Sequence, residues 1–150
     1  MRFDTEQSDH LLTTLAEFRF ELRRFLQFSE SAALDAGLQP QQHQLLLQVA
    51  GAPDGTAVTI AYAAGRLGLK HNSTVELVDR LEREELIART SDKGDKRRAL
   101  LHLTRKGRQV LHKLAGDHAR ELNEMAPRLV RTLRRVQIHS NHSTHAAEAL

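Results

Sequence analysis

The stretch Thr90–Gly107, TSDKGDKRRALLHLTRKG, gathers Lys93, Lys96, Arg97, Arg98, Arg105 and Lys106 around Asp92, Gly94 and Asp95. Like charges this close repel one another unless a polyanion offsets them, so the chemistry they suit is phosphate binding rather than bond breaking. Between Arg89 and Arg108 stand eight bases and two acids, although the whole chain carries a net charge of only +3. The charge is therefore local, which indicates an anion-binding face and not a uniformly basic protein. A second constellation lies upstream. His71, Asn72, Ser73 and Thr74 stand where a helical pattern begins. A helix N-terminus offers amides to phosphate.

Catalysis finds no support: there is no nucleophile motif, no glycine-rich phosphate loop and no pair of carboxylates at a strand end. Ser73 reads as a helix cap. With no cysteine, disulfides, thiolate metal sites and thiol redox sensing are excluded. His139, His142 and His145 recur at a spacing that suits a divalent metal on a helix face. They read as solvated tail residues, so neither a metal nor a cofactor is expected. No apolar run approaches the ~18 residues of a membrane helix. The opening MRFDTEQSDH lacks the apolar stretch of a signal peptide. The expectation is a cytoplasmic protein with no membrane partner.

These residues need a scaffold. The chain's 150 residues suffice for one domain, and 40% hydrophobic with 27% charged residues is a globular balance. Many Leu, Ala, Glu, Arg and Gln beside few Val and Ile favour helix. Leu11, Leu15, Phe18, Leu22 and Phe25 follow a heptad seam on a long first helix, stopped at Gly37. Pro40 suits the first turn of a second helix, which buries Leu45, Leu46 and Val49 and ends at Gly51. TAVTI, residues 56–60, has the β-branched character of a brief strand, and Thr59 suits the cap of a third helix closed by Gly68. LKHN forms a turn, and Ser73 with Glu76 matches a capping box opening a fourth helix that buries Leu77, Val78 and Leu81. LIART and ALLHL read as two strands around the basic loop, whose tight turn Gly94 permits. Thr104 caps a last helix with the stripe Leu111, Leu114, His118, Leu122 and Met125, which Pro127 should kink or restart. The fold class is mainly α: a winged helix-turn-helix lobe with a small β-hairpin wing, flanked by long N- and C-terminal helices.

In this order the chain resembles the MarR family, the multiple-antibiotic-resistance regulators of bacterial transcription. The resemblance rests on GLQPQQHQLLLQV, on AGRLGLKHNSTVELVDRLE, and on Asp95-x-Arg97 followed by Leu103-Thr104-x-x-Gly107, and covers most of residues 10–125. It implies a single domain over residues 1–150, with dimerisation helices at about 10–36 and 108–140 and the winged lobe at about 39–107. It also implies a homodimer on a palindromic operator in double-stranded DNA. Heptad seams at both ends of the chain independently suggest apolar surface seeking a partner. His71, Asn72, Ser73 and Thr74 would then meet the major groove, Asn72 reading adenine and Thr74 a thymine methyl, and Lys93, Lys96, Arg97 and Arg98 the backbone or minor groove. Asp95 would pair with Arg80 or Arg97 and hold the wing against the recognition helix.

Family members bind small aromatic acids between the dimer helices and the DNA lobe. His43 and His118, on otherwise apolar stripes, are candidates for such an effector pocket beside the ordinary reading of core histidines. Three features depart from the family pattern. Glu85 replaces the glycine that usually ends the recognition helix, so its C-cap is expected to differ. Ala63 replaces a leucine, and the missing cysteine excludes the peroxide-sensing branch. The reading is a homodimeric repressor relieved by a ligand. Its alternatives are a ligand-independent DNA-binding protein of the same fold and a helical protein–protein adaptor.

Overall fold

The computed structural model describes residues 5–147, with side-chain environments over residues 8–138. The elements run α1 (Thr5–Asp35), α2 (Pro40–Ala50), α3 (Ile60–Leu67), α4 (His71–Arg83), β1 (Ile87–Ser91), β2 (Ala99–Leu103) and α5 (Arg105–Ala147). The chain divides into two compact units, one of residues 1–29 with 118–150 and one of Glu30–Asp117.

The second unit, the lobe, is built on one apolar cluster that includes Leu45, Leu46, Val78, Leu81, Ile87, Leu101, Leu111 and Leu114. Its helix ends use the expected punctuation. Gly37 and Gly68 take the left-handed conformation, at φ +79° and +65°, where a side chain would be strained. Thr59 caps α3, its hydroxyl accepting from the Tyr62 amide at 3.1 Å. Pro40 opens α2, whose first turn is also held by the Gln42 side chain, which accepts from the Gln39 amide at 2.8 Å. β1 and β2 pair antiparallel, from Ile87 opposite Leu103 to Ser91 opposite Ala99. Alternation turns Ile87, Leu101 and Leu103 inward. TAVTI is not a strand: residues 56–59 have no regular structure, and Val58 offers β2 one carbonyl, which accepts from the Leu101 amide at 2.8 Å. A single bond is too little for a ladder. Ala63 is fully buried in α3.

The helical unit is different. Glu21 on α1 is buried and accepts from Arg128 Nε on α5 at 3.0 Å, while its second carboxylate oxygen has no hydrogen-bond partner among the described residues. His118 bonds Ser29 Oγ at 2.8 Å and meets the rings of Phe25 and Phe28 edge-on. Pro127 neither stops nor restarts the helix, because α5 runs through it to Ala147. The side chains of His139, His142 and His145 lie outside the described residues. No described helix is long and apolar enough to cross a membrane.

Candidate nucleic-acid interface

α4 packs one face into the lobe through Thr74, Leu77, Val78 and Leu81. Its N-terminus is exposed at His71, Asn72 and Ser73. The N-cap, Lys70, makes no side-chain cap bond, in contrast to Thr59 of α3. The first amides of α4 therefore face outward without an internal side-chain acceptor.

Two corrections follow for the residues expected here. The helix starts at His71, so Ser73 lies inside its first turn and the Ser73–Glu76 capping box is not formed. Thr74, expected to reach thymine, is fully buried, and its hydroxyl donates to the Lys70 carbonyl at 3.0 Å. It is a packing position and leaves the set of groups that face outward. Arg80 remains exposed.

The far end of α4 explains much of the downstream motif. Glu85 takes φ +59°, the left-handed value a glycine would adopt freely. The Leu86 amide donates to the Leu81 carbonyl at 2.9 Å and the Glu85 amide to Glu82 at 3.0 Å, which is a Schellman cap. The expected departure does not occur: glutamate keeps the usual cap geometry at the cost of its own backbone comfort. Thr104 then joins two helix ends. Its hydroxyl donates to the Glu85 carbonyl at 2.6 Å and accepts from the Gly107 amide at 3.0 Å. A Cβ at Gly107 would stand 2.1 Å from the Leu86 carbonyl oxygen, so Leu-Thr-x-x-Gly marks a close crossing of backbones that only glycine permits.

The wing carries the cations. Lys93, Lys96, Arg97 and Arg98 are all exposed. Gly94 is not among the positive-φ residues, and a Cβ there would meet Asp92 Oδ1 at an ordinary 3.5 Å. Its expected role as a conformational necessity is therefore corrected: the turn is organised by Asp92, whose carboxylate accepts from the Gly94 amide at 2.8 Å. Asp95 pairs with Arg97, accepting from the Arg97 amide at 3.0 Å and from Nε at 3.1 Å. Its partner is thus Arg97 and not Arg80, and the pair lies within the wing. The Gly94 amide and then Arg98 hold the Asp92 carboxyl below the usual range. The Arg97 side chain and amide do the same for Asp95.

What ties the wing to α4 is Arg89, which the sequence reading passed over. It sits on the inward face of β1 opposite Leu101 and donates to Asp79 at 2.6 Å and to Glu82, both on α4. Burial works against its charge, but Asp79 and Glu82 outweigh it, and its pKa is raised. The available signal was an acidic pair three apart on one helix followed by an arginine among strand hydrophobics. Gln42 was also missed. Its buried amide donates to both Glu84 carboxylate oxygens at 3.2 Å, linking α2 to the end of α4. The effector candidates fall in different units, His43 buried on α2 of the lobe and His118 in the helical unit. A cavity of about 250 Å³ in the lobe is lined by Val49, Pro53, Val58, Leu101, His102 and Arg108 among others, and by neither histidine.

Comparison with known proteins places this arrangement. A model of the MarR family matches residues 36–98, which contain α2, α3, α4, β1 and the wing loop. The putative transcriptional regulatory protein for the hcr operon of Thauera aromatica is 30% identical over 118 residues, covering 75% of this chain and 69% of that protein. The chain belongs to the MarR family. Solved structures agree on the fold. The MarR family transcription regulator SP03579 superposes with a TM-score of 0.66 at 20% identity, covering 97% of this chain and 91% of that one. The MepR–DNA complex of S. aureus gives 0.64 at 21% identity, covering 87% and 94%. As a MarR-family protein the chain is a DNA-binding transcriptional regulator and not an enzyme.

Proposed function

We propose that the protein is a homodimeric repressor that holds a palindromic operator in double-stranded DNA and releases it when a small aromatic acid binds. The observation that carries this reading is the uncapped, exposed start of α4 in the same lobe as an exposed cationic wing. His71, Asn72 and Ser73 meet the major groove, where base edges are distinguishable. Arg80, Lys93, Lys96, Arg97 and Arg98 take phosphates or the minor groove. Two copies join through helices at about 10–36 and 108–140, with the winged lobes at about 39–107, and the whole chain acts as one domain. A two-fold axis sets the α4 helices about one DNA turn, ~34 Å, apart. The apolar side chains that α1 and α5 leave exposed, such as Leu12, Leu15 and Leu133, favour such a partner. Its place of action is the cytoplasm, with the DNA.

The effector acts by binding one of two dimer states better than the other. His43 and His118 are its first candidates, each to be tested singly.

The test is a footprint on the DNA upstream of this protein's own coding region, repeated with phenolic acids, beside sedimentation of the free protein. Expected are a dimer, protection of a two-fold symmetric site, and a steep loss of affinity with salt, near −0.9 per phosphate contact. A monomer, or no duplex binding at low ionic strength, overturns the reading. Protection that no acid relieves leaves a ligand-independent regulator, and salt-independent association favours the adaptor.

A further inference from the structure

The wing's two arginines are held by unequal carboxylates. Asp95, on the loop, bonds Arg97, whose side chain is 91% exposed. Such a pair is worth little in water, and a phosphate can take the guanidinium from it readily. Asp92 sits differently. It follows the last ladder pair, Ser91 opposite Ala99, and its backbone amide donates to the Arg98 carbonyl at 3.3 Å, closing the loop at its base. Its side chain is only 13% exposed. One oxygen accepts from the Gly94 amide and the other from Arg98 Nε at 2.5 Å. The Arg98 side chain is half exposed, so the shelter is on the carboxylate side, and the pair is screened less than the Asp95–Arg97 pair rather than removed from solvent. Moving Arg98 to a phosphate would leave the Asp92 carboxylate half-satisfied in that shelter, a cost incurred on any DNA.

We infer that Asp92 is a specificity-determining residue: it keeps Arg98 for itself and withholds that guanidinium from the phosphates of non-cognate duplex. The inference rests on the DNA-binding reading above. Non-specific affinity comes almost wholly from phosphate contacts, and those contacts carry no sequence information. A wing with every cation free would bind all duplexes more tightly and discriminate less. Lys93, Lys96 and Arg97 then make the first contacts. Arg98 is released only where α4 is seated on base edges and holds a phosphate in place long enough to compensate for the exchange.

The experiment titrates the full-length protein against a short mixed-sequence duplex between ~50 and ~200 mM salt. Asp92→Asn keeps an acceptor for the Gly94 amide and removes the charge that holds Arg98. Its salt slope should steepen by ~0.9 per bound subunit, and its affinity for this duplex should rise about fivefold. On this duplex, which does not seat α4 on its base edges and so leaves Arg98 on Asp92, Arg98→Gln should leave the slope as in the wild type, and the double variant should return to it. Thermal melting of each variant reads the integrity of the lobe. The inference is overturned if Arg98→Gln alone flattens the slope, because Arg98 then already serves phosphate. It is overturned equally if the double variant keeps the Asp92→Asn steepness, because loss of one negative charge then suffices. Absence of wild-type binding overturns the DNA-binding reading together with this one. Wild-type binding with an unchanged Asp92→Asn slope overturns this one alone.

Discussion

The two units spend their apolar side chains differently. Among the described residues the lobe holds nearly every buried hydrophobic group, from Ala33 to Leu114, and the helical unit contributes Met125. The helical unit instead buries Thr14, Glu21 and Thr132 and leaves Leu12, Leu15, Phe20, Leu26, Leu122, Val130, Leu133 and Ile138 exposed. The lobe exposes only Leu34 and Leu47 among its large hydrophobics. A unit with a filled core is stable on its own contacts. A pair of long helices with polar groups inside and leucines outside presents apolar surface of the kind the proposed dimer would cover. Each region therefore has its own expected response to substitution.

The largest effect should fall on the lobe. Gly107→Ala drives a methyl group to 2.1 Å from the Leu86 carbonyl oxygen, where neither backbone can yield cheaply. Equilibrium urea unfolding should show a loss of about 3 kcal/mol. Gly116 lies in the same helix with nothing within 4 Å of a new Cβ, so Gly116→Ala should gain up to ~1 kcal/mol. Equal responses at the two glycines would refute the close crossing.

The helical unit should respond in association rather than in folding. Leu133 is 45% exposed in the single chain, and Leu133→Asp should change monomer stability by no more than ~0.5 kcal/mol. If the proposed dimer buries this side chain, the same change should weaken dimerisation by ~2 kcal/mol, about 30-fold in Kd by sedimentation. A dimer undiminished by both Leu133→Asp and Leu12→Asp would move the interface off this face and erase the contrast.

That contrast was partly legible in the residue pattern, as were the element order, both strands, and the ends marked by Gly37, Thr59, Gly68 and Thr104. These features depend on local chemistry: a φ that only glycine takes easily, a hydroxyl placed three residues ahead of an amide, alternation across a hairpin. What escaped depends on which way a side chain turns once the lobe is packed. Thr74 looked like a groove-facing residue, but one helical turn of offset put it in the core, with its hydroxyl turned back to Lys70. Arg89 looked like one more cation of the basic stretch, whereas its place on the inward face of β1 made it the tie to α4. Gly94 seemed to be the turn's requirement, yet the Asp92 carboxylate organises that turn through the Gly94 amide.

Glu85 offers a smaller and sharper test of how the lobe tolerates strain. Its φ of +59° costs a side-chain-bearing residue about 1 kcal/mol relative to glycine. The Schellman bonds of Leu86 and Glu85 are made by backbone alone, so a glycine keeps them. Glu85→Gly should therefore raise the unfolding free energy by ~1 kcal/mol with an unchanged m-value. A loss of stability would mean that the glutamate side chain contributes something its geometry does not reveal.

The smallest expected effect lies at the periphery of the lobe, where the wing is ordered by charge and hydrogen bonds more than by apolar contact. The folded-state pKa values of Asp92 and Asp95 lie below the ordinary carboxylate value, the first chiefly through the Gly94 amide and the second through Arg97. A depressed folded pKa means that the unfolded chain takes up its proton first as pH falls. The stability these groups contribute is thus fully present above the unfolded value of ~3.9 and is lost as pH drops through the lower folded value. Between about pH 5 and pH 3 the wild type should lose more stability than the Asp92→Asn/Asp95→Asn variant, measured by urea unfolding at each pH. Solvent screening on an exposed loop keeps this difference below the other three. Parallel pH profiles for the two proteins would mean that the carboxylates are no better satisfied in the folded wing than in the open chain. The turn would then be held by its flanking strands, and the lobe would differ from the helical unit in its core alone.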